Sequence, residues 1–109
     1  MPNDKLSEAQ AIYVSEIRKV QESADTWRDF LDFSAKVMVN KNQSEFEFSS
    51  KLIIHARNSK ATDCRQFDEW KTNDGNHVNR YEKGIPVLSR DKSGKQSVTY
   101  LFDTSQTAF

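Results

Sequence analysis

Glycine and proline are scarce in this chain, with three and two in 109 residues. No Gly- or Pro-rich stretch marks a linker, so a single domain is expected. Cysteine occurs once, at Cys64, which excludes an intramolecular disulfide. No apolar run approaches the roughly 20 residues that cross a bilayer. The opening Met1-Pro-Asn-Asp-Lys-Leu6 lacks the apolar stretch of a signal peptide. A cytoplasmic protein of bacterial type, with no membrane contact, is the simplest expectation. Net charge is also missing: sixteen basic residues balance sixteen acidic ones, so the whole chain exerts no pull on nucleic acid. Catalytic signatures are lacking too, with no His-Glu-x-x-His, no Cys-x-x-Cys and no Gly-rich phosphate loop. A zinc site would have to combine Cys64 with His55 and His77, which stand 22 residues apart. Cys64 as a nucleophile would need a base that nothing in the sequence places beside it. The expectation is a protein that is not an enzyme and holds no metal or cofactor.

What the chain does have is aromatic side chains, 11% of the residues, which argue against disorder and can anchor a modest core. The first forty residues read as helix. Tyr13, Ile17, Val20, Ala24, Trp27 and Leu31 follow spacings of four and three, one stripe for a core or a partner helix. Asp25 is a candidate cap for a second helix carrying Trp27, Phe30, Leu31 and Met38. One long helix and two shorter ones are both compatible with the pattern.

After the polar break Asn40-Lys-Asn-Gln43, the tetrad Ser44-Glu-Phe-Glu47 has the form of a capping box. The helix it would open presents Phe48, Leu52 and Ala56, widened by Ile53, and should end near Asn58-Ser59. Thr62 or Asp63 then caps a short fourth helix bearing Phe67 and Trp70, which Asn73-Asp-Gly75-Asn76 stops. The remainder reads as sheet. Segments 84–88 and 97–102 are strand-like and joined through Arg90–Lys95 as an antiparallel hairpin. Pro86 points to an edge strand, and His77-Val78 to a short third one. The expected class is α+β: three to four helices followed by a small antiparallel sheet or hairpin.

Charge is not evenly spread. Residues 1–50 hold nine acids and six bases, residues 51–109 seven acids and ten bases. Within the second half, basic and aromatic residues interleave. Such a mixture suits single-stranded nucleic acid, since cations neutralise phosphates and aromatic planes stack on unpaired bases. The candidate DNA-binding residues are Arg57, Lys60, Lys71, Arg80, Tyr81, Lys83 and Gly84. In Arg80-Tyr81-Glu82-Lys83-Gly84 a tyrosine lies between two cations, beside a glycine that permits close approach. The plainer alternative is that these cations are solubilising charge and that Trp70 belongs to the core. Ser105 and Gln106 could touch DNA, but local backbone capping is the simpler role for them.

Five segments, in order, resemble the N-terminal domain of ArdC-type antirestriction proteins. They are Thr26-Trp27-Arg-Asp-Phe30-Leu31, the helix from Phe48 to Arg57, and Ala61-Thr62 with Phe67-Asp-Glu-Trp70. Val78 with Lys83-Gly84-Ile85 and Phe102-Asp103-Thr-Ser105-Gln106-Thr107 complete the set. The resemblance spans about residues 24–107 and divides the chain into a helical extension, 1–23, and an ArdC-like domain, 24–109, within one unit overall. It implies a single-stranded-DNA-binding module of a mobile-element protein acting in antirestriction or DNA transfer, often followed by further domains in a longer parent chain. One departure concerns a glycine of the family's Val-x-x-Gly-x-Lys-Gly-Ile turn, which is Tyr81 here. If that position needs a positive φ, the tyrosine is strained. The alternative is a protein-interaction module that contacts a restriction enzyme or the transfer machinery through the stripe from Tyr13 to Leu31.

Overall fold

A computed structural model of the chain describes residues 4–39, 44–71 and 77–108. The fold is α+β, with four helices and a mixed sheet. The first helical segment breaks in two. Helix α1 spans Asp4–Val20 and α2 spans Ala24–Lys36. The break is made by Ser23, in extended backbone, whose Oγ accepts from the Thr26 N–H at 3.1 Å. Thr26 Oγ1 accepts from the Ser23 N–H in return, also at 3.1 Å. This reciprocal capping satisfies two amides that a continuous helix would not have exposed. Asp25, expected as the cap, lies instead in the first turn, where its carboxylate favours the positive end of the helix dipole.

The break also divides the expected stripe. Val20 is buried, and Tyr13, Ile17 and Trp27 pack against the core. Ala24 and Leu31 are exposed, because α2 turns Phe30 and Phe33 inward. Met38 does not continue α2. Val37 turns extended at φ −72°, ψ 136°, and Met38–Val39 form strand β1. Helix α1 packs on the helix Glu47–Arg57 and on the strands Ile85–Arg90 and Gln96–Asp103, and contributes Ala9 and Val20 to the same core as the rest of the chain.

Residues 40–43 lie outside the described residues. Ser44 begins a 3-10 turn, Ser44–Phe46, rather than capping an α-helix. Helix α3, Glu47–Arg57, starts with Phe46 in the N-cap position and no side-chain capping bond. Its buried side is rotated from the expected face. Ser50, Leu52, Ile53 and Ile54 are buried, while Ala56 is exposed and Phe48 is 44% exposed. Three consecutive buried apolar residues require cover on more than one side, and α1, α2 and the strand Ile85–Arg90 provide it. Each such side chain contributes about 1.5–3 kcal/mol by leaving water.

Thr62 and Asp63 do not cap a helix. Asp63–Gln66 form strand β2, and the short helix α4, Phe67–Lys71, follows directly. Glu69 Oε1 accepts from the Gln66 N–H at 3.2 Å, which ends the strand and opens the helix. Trp70 is core, as expected, and its Nε1–H donates to the Phe102 carbonyl at 2.8 Å. The Asn73–Asn76 stop, with Gly75, lies outside the described residues.

Strands β3, His77–Val78, β4, Ile85–Arg90, β5, Gln96–Asp103, and β6, Thr107–Ala108, complete the fold. The hairpin is as expected, antiparallel from Ile85↔Leu101 to Arg90↔Gln96. Gly94 takes φ +88° in its turn, where Asp91 Oδ1 accepts from the N–H groups of Ser93 and Lys95. Pro86 sits on the edge strand, where its missing N–H interrupts no ladder. The sheet runs β1-β2-β5-β4 and is not purely antiparallel, because β1 pairs with β2 in parallel. Strands β3 and β6 form a separate antiparallel pair. The small sheet therefore recruits two strands from within the helical half.

Candidate nucleic-acid interface

The segment between β3 and β4 carries Tyr81, one of the candidate DNA-binding residues. The Asn79 N–H donates to the Gln106 carbonyl at 2.8 Å, and the Glu82 N–H reaches back to the Asn79 carbonyl at 3.3 Å, closing a tight turn. Tyr81 lies in that turn with φ +69°, the positive φ of a non-glycine residue that stands alone among the described residues. An L-residue there gives up about 1–2 kcal/mol relative to ordinary backbone. Nothing in the core repays it: Tyr81 is 91% exposed, and its ring meets the Arg80 guanidinium at 5.8 Å.

Beside this turn lies a groove of about 730 Å³. Its walls come from the start of α1 (Lys5, Glu8), the end of α3 (Arg57), residues 82–86 and Tyr100 of β5. Arg57 pairs with Glu8 at 3.3 Å, and the Lys5 ammonium lies 5.5 Å from the centre of the Tyr100 ring. Gln106 also lines the groove. Its Nε2–H donates to the Lys83 carbonyl at 2.8 Å and to Glu82 Oε1 at 3.1 Å, while its Oε1 accepts from the Asp103 N–H at 2.8 Å.

Gly84 is explained by packing. A Cβ built on it would stand 2.8 Å from Tyr100 Cβ and 3.1 Å from the Phe102 ring. The close approach that it allows is that of two aromatic side chains across the hairpin. Gly84→Ala should therefore destabilise the protein by about 1–3 kcal/mol through overpacking, measured as a lowered urea midpoint.

Of the seven expected residues, Arg57, Lys83 and Gly84 line the groove, and Arg80 and Tyr81 precede its rim on the same turn. Lys60 and Lys71 are exposed and do not line it. Lys5 and Tyr100 escaped the sequence reading. The first twenty-three residues carry no recognisable motif, and a tyrosine alternating along a strand gives no sign of which concavity it faces.

Ser105 and Gln106 serve the backbone. Asp103, 2% exposed, caps the 3-10 turn Thr104–Gln106, accepting at Oδ2 from the Ser105 N–H at 3.1 Å and Oγ–H at 2.7 Å. Its Oδ1 accepts from the N–H groups of Thr62 at 2.9 Å and Asp63 at 3.1 Å. Burial alone would push this carboxyl up. The bonds from Ser105, Thr62 and Asp63 outweigh it and hold the carboxyl below its ordinary range.

The alternative chemistry finds little footing. The Cys64 thiol is fully buried on β2 and pushed up to about 12, first by burial and then by the charges of Asp103 and Asp63. It is a thiol at neutral pH, without nucleophilic character. We expect no labelling of native protein by a thiol-disulfide reagent and stoichiometric labelling in denaturant; prompt native labelling would contradict this burial. His55 Nδ1 is engaged by Glu16, and its ring meets Phe30 and Phe33 edge-on at 5.5 and 5.0 Å. Among the described residues, no three His, Cys, Asp or Glu side chains are placed to hold a metal ion.

No family model, curated protein or solved structure matches this chain. Among the described residues, no helix is long and apolar enough to cross a membrane.

Proposed function

We propose that this chain is a non-catalytic, single-stranded-DNA-binding module of a mobile-element protein acting in antirestriction or DNA transfer in the bacterial cytoplasm. The observation that carries the reading is Tyr81, an almost fully exposed aromatic held in left-handed backbone beside Arg80 and a partly cationic groove. Strain with no return in packing belongs where a function selects the residue. A solvent-facing ring next to a guanidinium suits base stacking. Arg57 and Lys83 supply charge for the phosphates. The ordered resemblance of residues 24–107 to the ArdC N-terminal domain supports the same reading. The rival protein-interaction surface is weaker, because most of its stripe is packed on the core.

The test is fluorescence anisotropy with a labelled oligonucleotide of about 20 bases, longer than a typical single-strand footprint, single-stranded and then duplexed, at two salt concentrations. We expect tighter and salt-sensitive binding to the single strand, lost in the triple variant Arg80→Ala, Tyr81→Ala, Lys83→Ala. Undiminished binding by that variant would sink the reading.

A further inference from the structure

We infer that the groove between the start of α1 and residues 82–86 receives one unpaired nucleotide of the bound strand, next to the one that stacks on Tyr81; this rests on the single-strand reading above. The charges in the groove are not balanced. Lys5, Arg57 and Lys83 face two acids, and both acids are engaged, Glu8 by Arg57 and Glu82 by Gln106. Lys5 and Lys83 have no ion pair among the described residues, so their ammonium groups can take a phosphate at little cost. The apolar part of the lining, Ile85, Pro86 and the Tyr100 ring, suits a sugar and a base face.

Size and shape point the same way. A groove of about 730 Å³ lies within the range of roughly 300–1,000 Å³ typical of small-ligand sites. It is walled by α1 on one side and the Gln106-held segment 82–84 on the other. A single nucleotide can enter between these walls. A base that is still paired and stacked in a duplex cannot, so the groove itself selects unpaired strands. Because Glu82, Lys83 and Gly84 of the groove follow Tyr81 in the chain, the stacking ring and the groove are successive stations for one strand. Glu8 has a defined part in this arrangement. It competes with the incoming phosphate for the Arg57 guanidinium.

Two exposed substitutions outside the Tyr81 turn test the inference on the full chain, with labelled oligo-thymidylate as probe. Lys5→Glu should weaken binding about tenfold at low salt, since it exchanges a phosphate contact for a repulsive charge, and should flatten the slope of log affinity against log salt by about 0.7. Glu8→Gln should tighten binding, a direction that no folding defect can mimic. Thymidine 5′-monophosphate at high concentration should compete with the oligonucleotide for wild-type protein and much less for Lys5→Glu. If Tyr81→Ala abolishes binding while Lys5→Glu and Glu8→Gln leave it unchanged, the strand passes over the turn only and the groove assignment is wrong, although the single-strand reading survives. If wild-type protein binds no single strand, both fall together.

Discussion

Replacing Asp103 by alanine should lower the stability of the protein by about 3–4 kcal/mol, because four donors lose their acceptor in a buried site. The Thr62 N–H precedes β2 and the Asp63 N–H begins it, while the Ser105 N–H and hydroxyl belong to the closing 3-10 turn. One carboxylate thus joins two segments some forty residues apart in sequence. Set against a typical domain stability of about 5–15 kcal/mol, the loss should be large enough to place the variant near its unfolding transition at physiological temperature. It should appear as a lower urea midpoint with unchanged slope. Asp103→Asn keeps one acceptor oxygen but turns an amide N–H₂ toward the remaining donors, and should lose a smaller but still marked share. The same group sets a pH dependence. Its native pKa is held below the unfolded value of about 3.9. Its contribution is therefore fully present above that value and is lost as the pH falls through the native pKa. Both Asp103 variants should flatten the acid limb of the stability curve. An acid limb identical to wild type would show that other carboxylates dominate it.

Tyr81→Gly should raise stability and lower DNA affinity in the same molecule. Glycine takes φ +69° without the penalty of about 1–2 kcal/mol borne by the tyrosine. Its greater freedom in the unfolded chain returns about 0.5–1 kcal/mol of that. The net gain should be about 0.5–1 kcal/mol, read as a higher urea midpoint. Loss of a stacked base, meanwhile, removes about 1–3 kcal/mol of binding, roughly a five- to 150-fold weaker complex. The opposed signs are the useful part. A residue kept only for the fold would lose stability on substitution, and a dispensable surface residue would change neither quantity. Unchanged affinity for the single strand would remove Tyr81 from the interface.

Much of this fold can be read from residue order, for reasons tied to particular segments. The hairpin of β4 and β5 announces itself through two short runs rich in β-branched and apolar residues on either side of Asp91-Lys-Ser-Gly94. The boundary between α1 and α2 is concealed because its cap pairs Ser23 with Thr26 rather than with the usual Glu or Gln. Strand β2 is nearly invisible. Asp63-Cys-Arg-Gln66 has no apolar alternation, and its strand character comes from pairing with β5 on one side and β1 on the other. The displaced face of α3 has a similar origin, since an apolar run such as Leu52-Ile-Ile54 fits several registers until its neighbours are in place. At the candidate interface, Arg57 and Lys83 are legible as residue types in a pattern, and the departure from the ArdC-like turn flags the backbone of Tyr81. Lys5 and Tyr100 are not, because only the docking of α1 beside β5 brings them to the same groove.

Under the proposed function, the side-chain amide of Gln106 bears on the speed of recognition as well as its strength. It grips the Lys83 carbonyl and Glu82, while its own backbone carbonyl takes the Asn79 N–H, so the Tyr81 turn is fixed from a separate part of the chain. The entropy of ordering that turn is spent during folding and is not charged again when a ligand arrives. Encounter should then proceed without a rate-limiting rearrangement, and the association rate should follow ionic strength in the manner of a preformed, electrostatically steered surface. Loosening the clamp through Gln106→Ala should show itself as slower and entropically more costly capture.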